Sequence, residues 1–221
     1  MILKNIQQPT RLVTPFRLSL DESDPVNTPF YALGGVLLGK ANFLRGVMAN
    51  YGIDPPIPLL VTEGGLLCQG SVVCVNSLPP QEFTDDQADY IVWTYVRAVA
   101  DGISGVMWYT LNYQPWRHIG LLWSDGSPKP AYQVYQYMVS LLGGASFASQ
   151  LNQYFPTLRA YEFWKNNERI WVLWSPDQMD HAINLPAGFQ AAIDEFGNQI
   201  SLPPNPTSIT INRPIYLVLN P

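Results

Sequence analysis

The first helical pattern in the chain runs from Thr28 to Tyr51. Leu33, Val36, Leu37, Leu44, Val47, Met48 and Tyr51 recur at the spacing of one helix face, Thr28 suits the cap, Pro29 the first turn and Gly52 the stop. Upstream, Phe16, Leu18 and Leu20 alternate with Arg17 and Ser19 and predict a short strand; Asp21 to Pro29 reads as a loop, and the rest of 1–26 has no clear period. After the turn Asp54-Pro55-Pro56, the run Ile57 to Thr62 is apolar on both faces, as a buried parallel strand requires, and ends in Glu63-Gly64-Gly65. A loop of about twenty residues follows, long for a strand-to-helix connection. Thr84 and Gln87 have the spacing of a capping box, and Ala88, Ile91, Val92, Tyr95, Val96 and Val99 give the next helix its apolar face, closed by Asp101-Gly102. Gly105 to Leu111 predicts a second strand. Gly120 to Trp123 reads as a short extended piece, Ser124 to Pro130 as turns, and Ala131 to Leu142 as a third helix. This alternation of helix and strand predicts a parallel sheet with flanking helices.

Beyond about residue 146 the period changes. Arg159–Lys165 and Arg169–Trp174 flank Asn166-Asn167 and predict a hairpin; His181–Leu185, Gln190–Asp194, Ser208–Asn212 and Ile215–Leu219 read as further strands. Short strands separated by turn signals predict a small antiparallel β-sandwich. The fold class is therefore α/β plus all-β, with domains at 1–146 and 147–221.

Composition narrows the function classes. The 221 residues are 47% hydrophobic and 13% charged, so the chain can bury a sizeable core. A net charge of -5 and the lack of any basic run argue against nucleic acid as a partner. No apolar stretch is long enough to span a bilayer, so no membrane partner is expected. Seven Trp and twelve Tyr suit stacking on sugar rings as well as ordinary cores. Cys68 and Cys74 flank a short segment; they would pair in an oxidising, extracellular compartment, or remain two buried thiols. They lack the surrounding His and Cys of a zinc site, and no metal or cofactor is expected.

Three segments, in this order, resemble the end of a retaining (β/α)8-barrel glycoside hydrolase of the clan that includes cellulases and β-xylosidases. Leu59 to Gly65 resembles the seventh barrel strand, Gly105 to Tyr109 the eighth, and Gly120-Leu121-Leu122 through Asp125-Gly126-Ser127-Pro128-Lys129-Pro130-Ala131-Tyr132 the loop into the last barrel helix. Ile183 to Pro186, Asp194 to Asn198 and Pro214 to Leu217 resemble the β-sandwich appended to such barrels. The resemblance covers roughly residues 27 to 221 and implies a partial (β/α)8 barrel, its last strands and helices, acting on a carbohydrate substrate.

It also implies roles. Glu63 matches the nucleophile at the end of the seventh strand, and active-site groups of such barrels sit at the C-terminal ends of strands. Gly64-Gly65 would leave room beside a ligand. Trp108 matches the residue under the sugar, although it would fit core packing too, whereas Tyr109 alternates to the other face as a structural residue. Trp116 and Arg117 lie on a rim loop where they could contact substrate; His118 beside them is a weaker candidate. Asp125 fits a tight turn, and Asp85 and Asp86 the first turn of a helix. Retaining hydrolysis also needs a second carboxyl, about 5–5.5 Å from the first, as acid/base. The clan carries it after an Asn on the fourth strand. Upstream of Glu63 the chain has one glutamate, Glu22, and its one Asn-Glu pair, Asn167-Glu168, falls in the predicted hairpin. The expectation is a C-terminal piece or truncated relative, inactive alone, whose sheet edges are covered by a missing barrel half or by self-association. The alternative is a non-catalytic carbohydrate-binding or structural fragment.

Overall fold

The computed structural model describes residues 2–7, 35–68, 79–112, 118–155 and 157–221, with the backbone alone at 2–7 and 35–36. The predicted strand at Phe16–Leu20, the helix start at Thr28 and Pro29, Glu22, Cys74, Trp116 and Arg117 lie outside these residues. The chain divides into two compact units, Met1–Tyr132 and Gln133–Pro221.

The first unit is built by β1 (Ile2–Gln7), α1 (Gly35–Asn50), β2 (Leu60–Leu66), α2 (Gln81–Ala100) and β3 (Gly105–Trp108), and α3 (Pro130–Leu142) begins in it. The strands form a parallel sheet in the order β1-β2-β3. Strand β1 was not anticipated: its apolar and polar residues follow no strict period, and pairing with β2 decides its conformation. Helices α1 and α2 both stop in a Schellman motif. Gly52 (φ 68) sends its N–H to Ala49 while Ile53 reaches Met48; Gly102 (φ 68) sends its N–H to Val99 while Ile103 reaches Ala98. A side chain at either glycine would strain that left-handed backbone. Leu37, Ala41 and Met48 of α1 and Ala98 and Ile103 at the end of α2 pack with Leu59 and Val61 in one core, against which Leu44 and Val106 also lie. Tyr51 falls past the end of α1 and is exposed.

Helix α2 begins three residues before the expected capping box. Pro80 is its cap residue, and Thr84 and Gln87 lie inside the helix, where the Thr84 hydroxyl donates to Gln81 O and Gln87 reaches out to a loop. The helix is buried almost all round from Phe83 to Ala98, except that Val99, expected on its apolar face, is exposed. Cys68, just after β2, is disulfide-bonded, which takes up the paired alternative; the chain's other cysteine is Cys74.

The second unit is antiparallel. Strands β4 (Ser146–Gln150), β5 (Arg159–Lys165), β6 (Glu168–Trp174), β10 (Ile215–Leu219) and β8 (Phe189–Asp194) form a sheet in that spatial order, and β7 (His181–Asn184) pairs with β9 (Ser208–Ile211). Asn166 and Asn167 carry positive φ of 50° and 66° in the two-residue β5–β6 turn, as the sequence predicts. Ala160, Leu173, Ala192 and Leu217 of the larger sheet share a core with Ile183, Ile209 and Ile211 of the smaller. On the larger sheet's other face Tyr161 stacks on Trp174, their centroids 5.2 Å apart, and Tyr137 of α3 meets Tyr216 edge to face. Lys165 donates to the carbonyls of Ser140 and Leu141 at the end of α3. The unit boundary consequently falls inside α3 rather than after it.

Candidate active site

Glu63 lies within β2, not at its last residue, because the strand continues through Gly64 and Gly65 to Leu66. Its direction is set by a bulge. On the β3 side the register passes from Val61↔Val106 to Gly64↔Trp108, three residues of β2 against two of β3. On the β1 side it passes from Leu3↔Val61 to Lys4↔Glu63. The β1 pairing makes Thr62 the extra residue, and the β3 shift, which spans Thr62 and Glu63, agrees with it. In a regular strand Glu63 would share a face with Val61, which is fully buried against the helices. The inserted residue reverses this, since one step of slip moves every later side chain to the opposite face.

The glycines confirm the geometry. A Cβ on Gly64 would meet Val106 Cγ1 at 3.3 Å and Val61 Cγ1 at 3.7 Å, so Gly64 has taken the helix-facing position. Glu63 accordingly stands on the face away from the helices, partly buried.

The same alternation sorts β3. Val106 packs toward the helices, and Trp108, two residues on, follows it. The Trp108 ring meets Tyr90 of α2 edge to face at 6.2 Å, and its indole N–H donates to Ile119 O at 3.0 Å. Met107 and Tyr109 alternate to the other face, that of Glu63, where they are 53% and 38% exposed. The Tyr109 N–H still bonds Gly64 O at 2.7 Å, which keeps its backbone beside β2. Tyr109, expected to be structural, is therefore an aromatic residue on the carboxylate's side of the sheet. Counting alternation from Val61 without the bulge hides this.

Gly65 does not leave room for a ligand as expected. A Cβ there would lie 2.7 Å from Ile119 Cδ1 and 3.1 Å from Tyr109 O, so its bareness accommodates the protein itself. Ile119 is fully buried and immediately precedes the segment, from Gly120, that resembles the loop into the last barrel helix. That segment's residue pattern has a local cause. Asp125 accepts from both the N–H and the hydroxyl of Ser127, and these bonds hold its carboxyl below the usual range, as a turn residue should be held. Lys129 is buried, and its ammonium donates to His118 O at 2.7 Å and lies over the Trp123 ring. Burial lowers its pKa to about 8. Gln87 of α2, also buried, donates to His118 O and Ile119 O. His118, a weak substrate-contact candidate, is buried with φ 54. Lys129 and Gln87 escape a sequence search for chemistry because each reads as an ordinary loop or cap residue. Among the described residues no cluster of His, Cys, Asp and Glu could hold a metal ion.

No protein-family model matches the chain, and no curated protein matches it. Solved structures do. A family 39 glycoside hydrolase from the gut symbiont Bacteroides cellulosilyticus WH2 superposes with a TM-score of 0.62 at 23% identity, over 80% of this chain and 37% of its own. A conserved exported protein from Bacteroides fragilis gives 0.51 at 10% identity, over 80% and 42%. A GH30 endoxylanase from Clostridium papyrosolvens C71 gives 0.49 at 12%, over 81% and 46%. The chain thus has a fold found in glycoside hydrolases, and spans less than half the length of each of these three structures.

Proposed function

We propose that this chain is the C-terminal portion of a retaining glycoside hydrolase, the last strands of a (β/α)8 barrel followed by a β-sandwich, and that Glu63 is the nucleophile. One observation carries the reading. The extra residue Thr62 turns Glu63 out of the helix-packed side of a parallel strand, near that strand's C-terminal end, onto the side where barrel enzymes gather their chemistry. A carboxylate there attacks the anomeric carbon as the leaving oxygen takes a proton from a second carboxyl; that second group then activates water to release the sugar. The second carboxyl belongs to a fourth-strand position that the sequence before Glu63 does not supply. The 221-residue chain alone is consequently inactive, and a missing barrel half or a second copy covers its sheet edges.

In this reading Tyr109 offers the sugar a ring on Glu63's side, Trp108 braces the strand end from the helix side, and Trp116 and Arg117 contact substrate from the rim loop. The test is a mechanism-based fluorosugar applied to a barrel reconstituted with the complementary half. Covalent label on Glu63 is expected. Label elsewhere, or none in a reconstituted barrel that turns over aryl glycosides, sinks the assignment. Turnover by the lone chain that Glu63→Gln abolishes would overturn the expected inactivity.

That no Asn-Glu pair precedes Glu63 in the sequence favours one further reading, a non-catalytic carbohydrate-binding or structural fragment. Glycan affinity of the purified chain that is unchanged by Glu63→Gln would favour it over the catalytic one.

A further inference from the structure

We infer that Lys129 and Gln87 are positioning residues that clamp the His118–Ile119 turn and through it set the direction of Glu63, a role that rests on the glycoside hydrolase reading of that site. Two successive main-chain carbonyls collect donors from three parts of the unit. Lys129, one residue ahead of α3, donates to His118 O at 2.7 Å. Gln87, from the second turn of α2, donates to His118 O at 3.2 Å and to Ile119 O at 3.1 Å. Trp108, at the end of β3, donates to Ile119 O at 3.0 Å. The turn they grip has left-handed backbone at His118, a conformation a non-glycine residue keeps only when its surroundings hold it.

What the grip secures is Ile119. Its side chain fills the notch left by the missing Cβ of Gly65, two residues beyond Glu63 on the same strand. The height of Ile119 therefore fixes the height of the strand end that presents the carboxylate, and the shared Ile119 carbonyl fixes the Trp108 ring behind it.

Stability alone does not account for Lys129. It is 1% exposed, and among the described residues no carboxylate pairs with its ammonium, which is directed to a carbonyl and an aromatic face. A buried charge so weakly compensated costs folding free energy. A residue serving only the core would be apolar here; a residue serving backbone placement needs the donor.

The opposed demands give the test. In the full 221-residue chain, Lys129→Met keeps the side chain's length and removes the donor. Its thermal midpoint is expected to hold or rise. Hydrogen exchange of the Trp108 indole N–H, assigned by its loss in Trp108→Phe, is expected to accelerate at least tenfold by NMR. Carbodiimide amidation of Glu63, followed by mass spectrometry, is expected to change at least threefold in rate. Gln87→Leu tests the other prong and is expected to move both local readouts in the same direction. Unchanged Trp108 exchange and Glu63 amidation in the two variants would overturn the clamp. So would a lowered midpoint with exchange protection lost throughout the first unit, which marks a purely structural role. Neither readout uses turnover, so failure of fluorosugar labelling at Glu63 leaves this test standing.

Discussion

The two units bury their sheets differently. In the second, the central strands β6 and β10 are buried on both faces: Ile170, Val172 and Trp174 on one side of β6, Trp171 and Leu173 on the other. In the first, α1 and α2 cover one face of the parallel sheet, while the opposite face carries the exposed Met107 and Tyr109 beside Glu63. Its outer strands β1 and β3 pair on one side each among the described residues. Unpaired parallel edges invite another strand. Among the described residues, the candidate carboxylate lies in the unit whose sheet has helices on one face and exposed side chains on the other, not in the unit whose central strands are buried on both faces.

The sharpest way to stress this contrast is to open the closed core. Trp174→Ala should cost the second unit about 3–5 kcal/mol, because the indole is 1% exposed and stacked on Tyr161. Hydrogen exchange should place the loss in β5, β6 and β10; equal loss in β2 and α2 would erase the distinction between the units.

The next effect belongs to the first unit and runs against habit. Lys129 has a folded pKa depressed to about 8. The unfolded chain therefore binds the extra proton between about pH 8 and 10.5, and stability rises with pH across that window, by up to about 3 kcal/mol. Urea unfolding monitored in α2 should register the rise in the wild type and lose it in Lys129→Met. A flat profile in both would mean that the ammonium is better solvated than its burial implies.

Gly65→Val should destabilise the first unit by about 1–3 kcal/mol through overpacking, since its Cβ would press on Ile119 and on Tyr109 O. Combining it with Ile119→Ala should recover part of the loss; no recovery would disprove the notch.

The smallest effect sharpens the contrast from the acid side. Burial works to raise the Asp177 carboxyl, but hydrogen bonds from Ser175, the Met179 N–H and His181 outweigh it and hold the pKa at about 2. Its contribution is present above the unfolded value of 3.8 and fades as pH falls toward 2. Half exposed, it should be worth less than about 1 kcal/mol. Asp177→Asn should flatten that acid slope in the second unit alone.

The second unit was nearly all legible because its strands alternate cleanly and its turns carry their own chemistry: Asn166-Asn167 for the tight hairpin, and Asp194, whose carboxylate accepts from the N–H groups of Phe196 and Asn198. Strand β4 was missed, with little burial to leave a pattern. In the first unit the stops at Gly52 and Gly102 were legible, because a left-handed residue selects for glycine. The start of α2 was not: a Thr-x-x-Gln spacing looks the same whether its hydroxyl caps a helix or bonds the turn before it. Glu63 could be singled out by neighbourhood, but the face it occupies could not, because period-two counting assumes that no residue is inserted. The alternation separates Trp108 from Tyr109 in the sequence, but which of the two shares a face with Glu63 depends on that insertion.

Thr62 gives the carboxylate an unusual kind of vulnerability. Glu63 faces away from Val61 only while Thr62 stays out of the ladder; if Thr62 takes up a regular pairing, the same Glu63 is aimed into the helix layer with no change at its own position. In this strand, direction is stored as parity. Removing Thr62 outright should therefore leave Glu63 facing away from Val61 on a regular strand, whereas drawing Thr62 into regular pairing would swing Glu63 onto the side of Val61 and silence the site with every site residue still in the sequence.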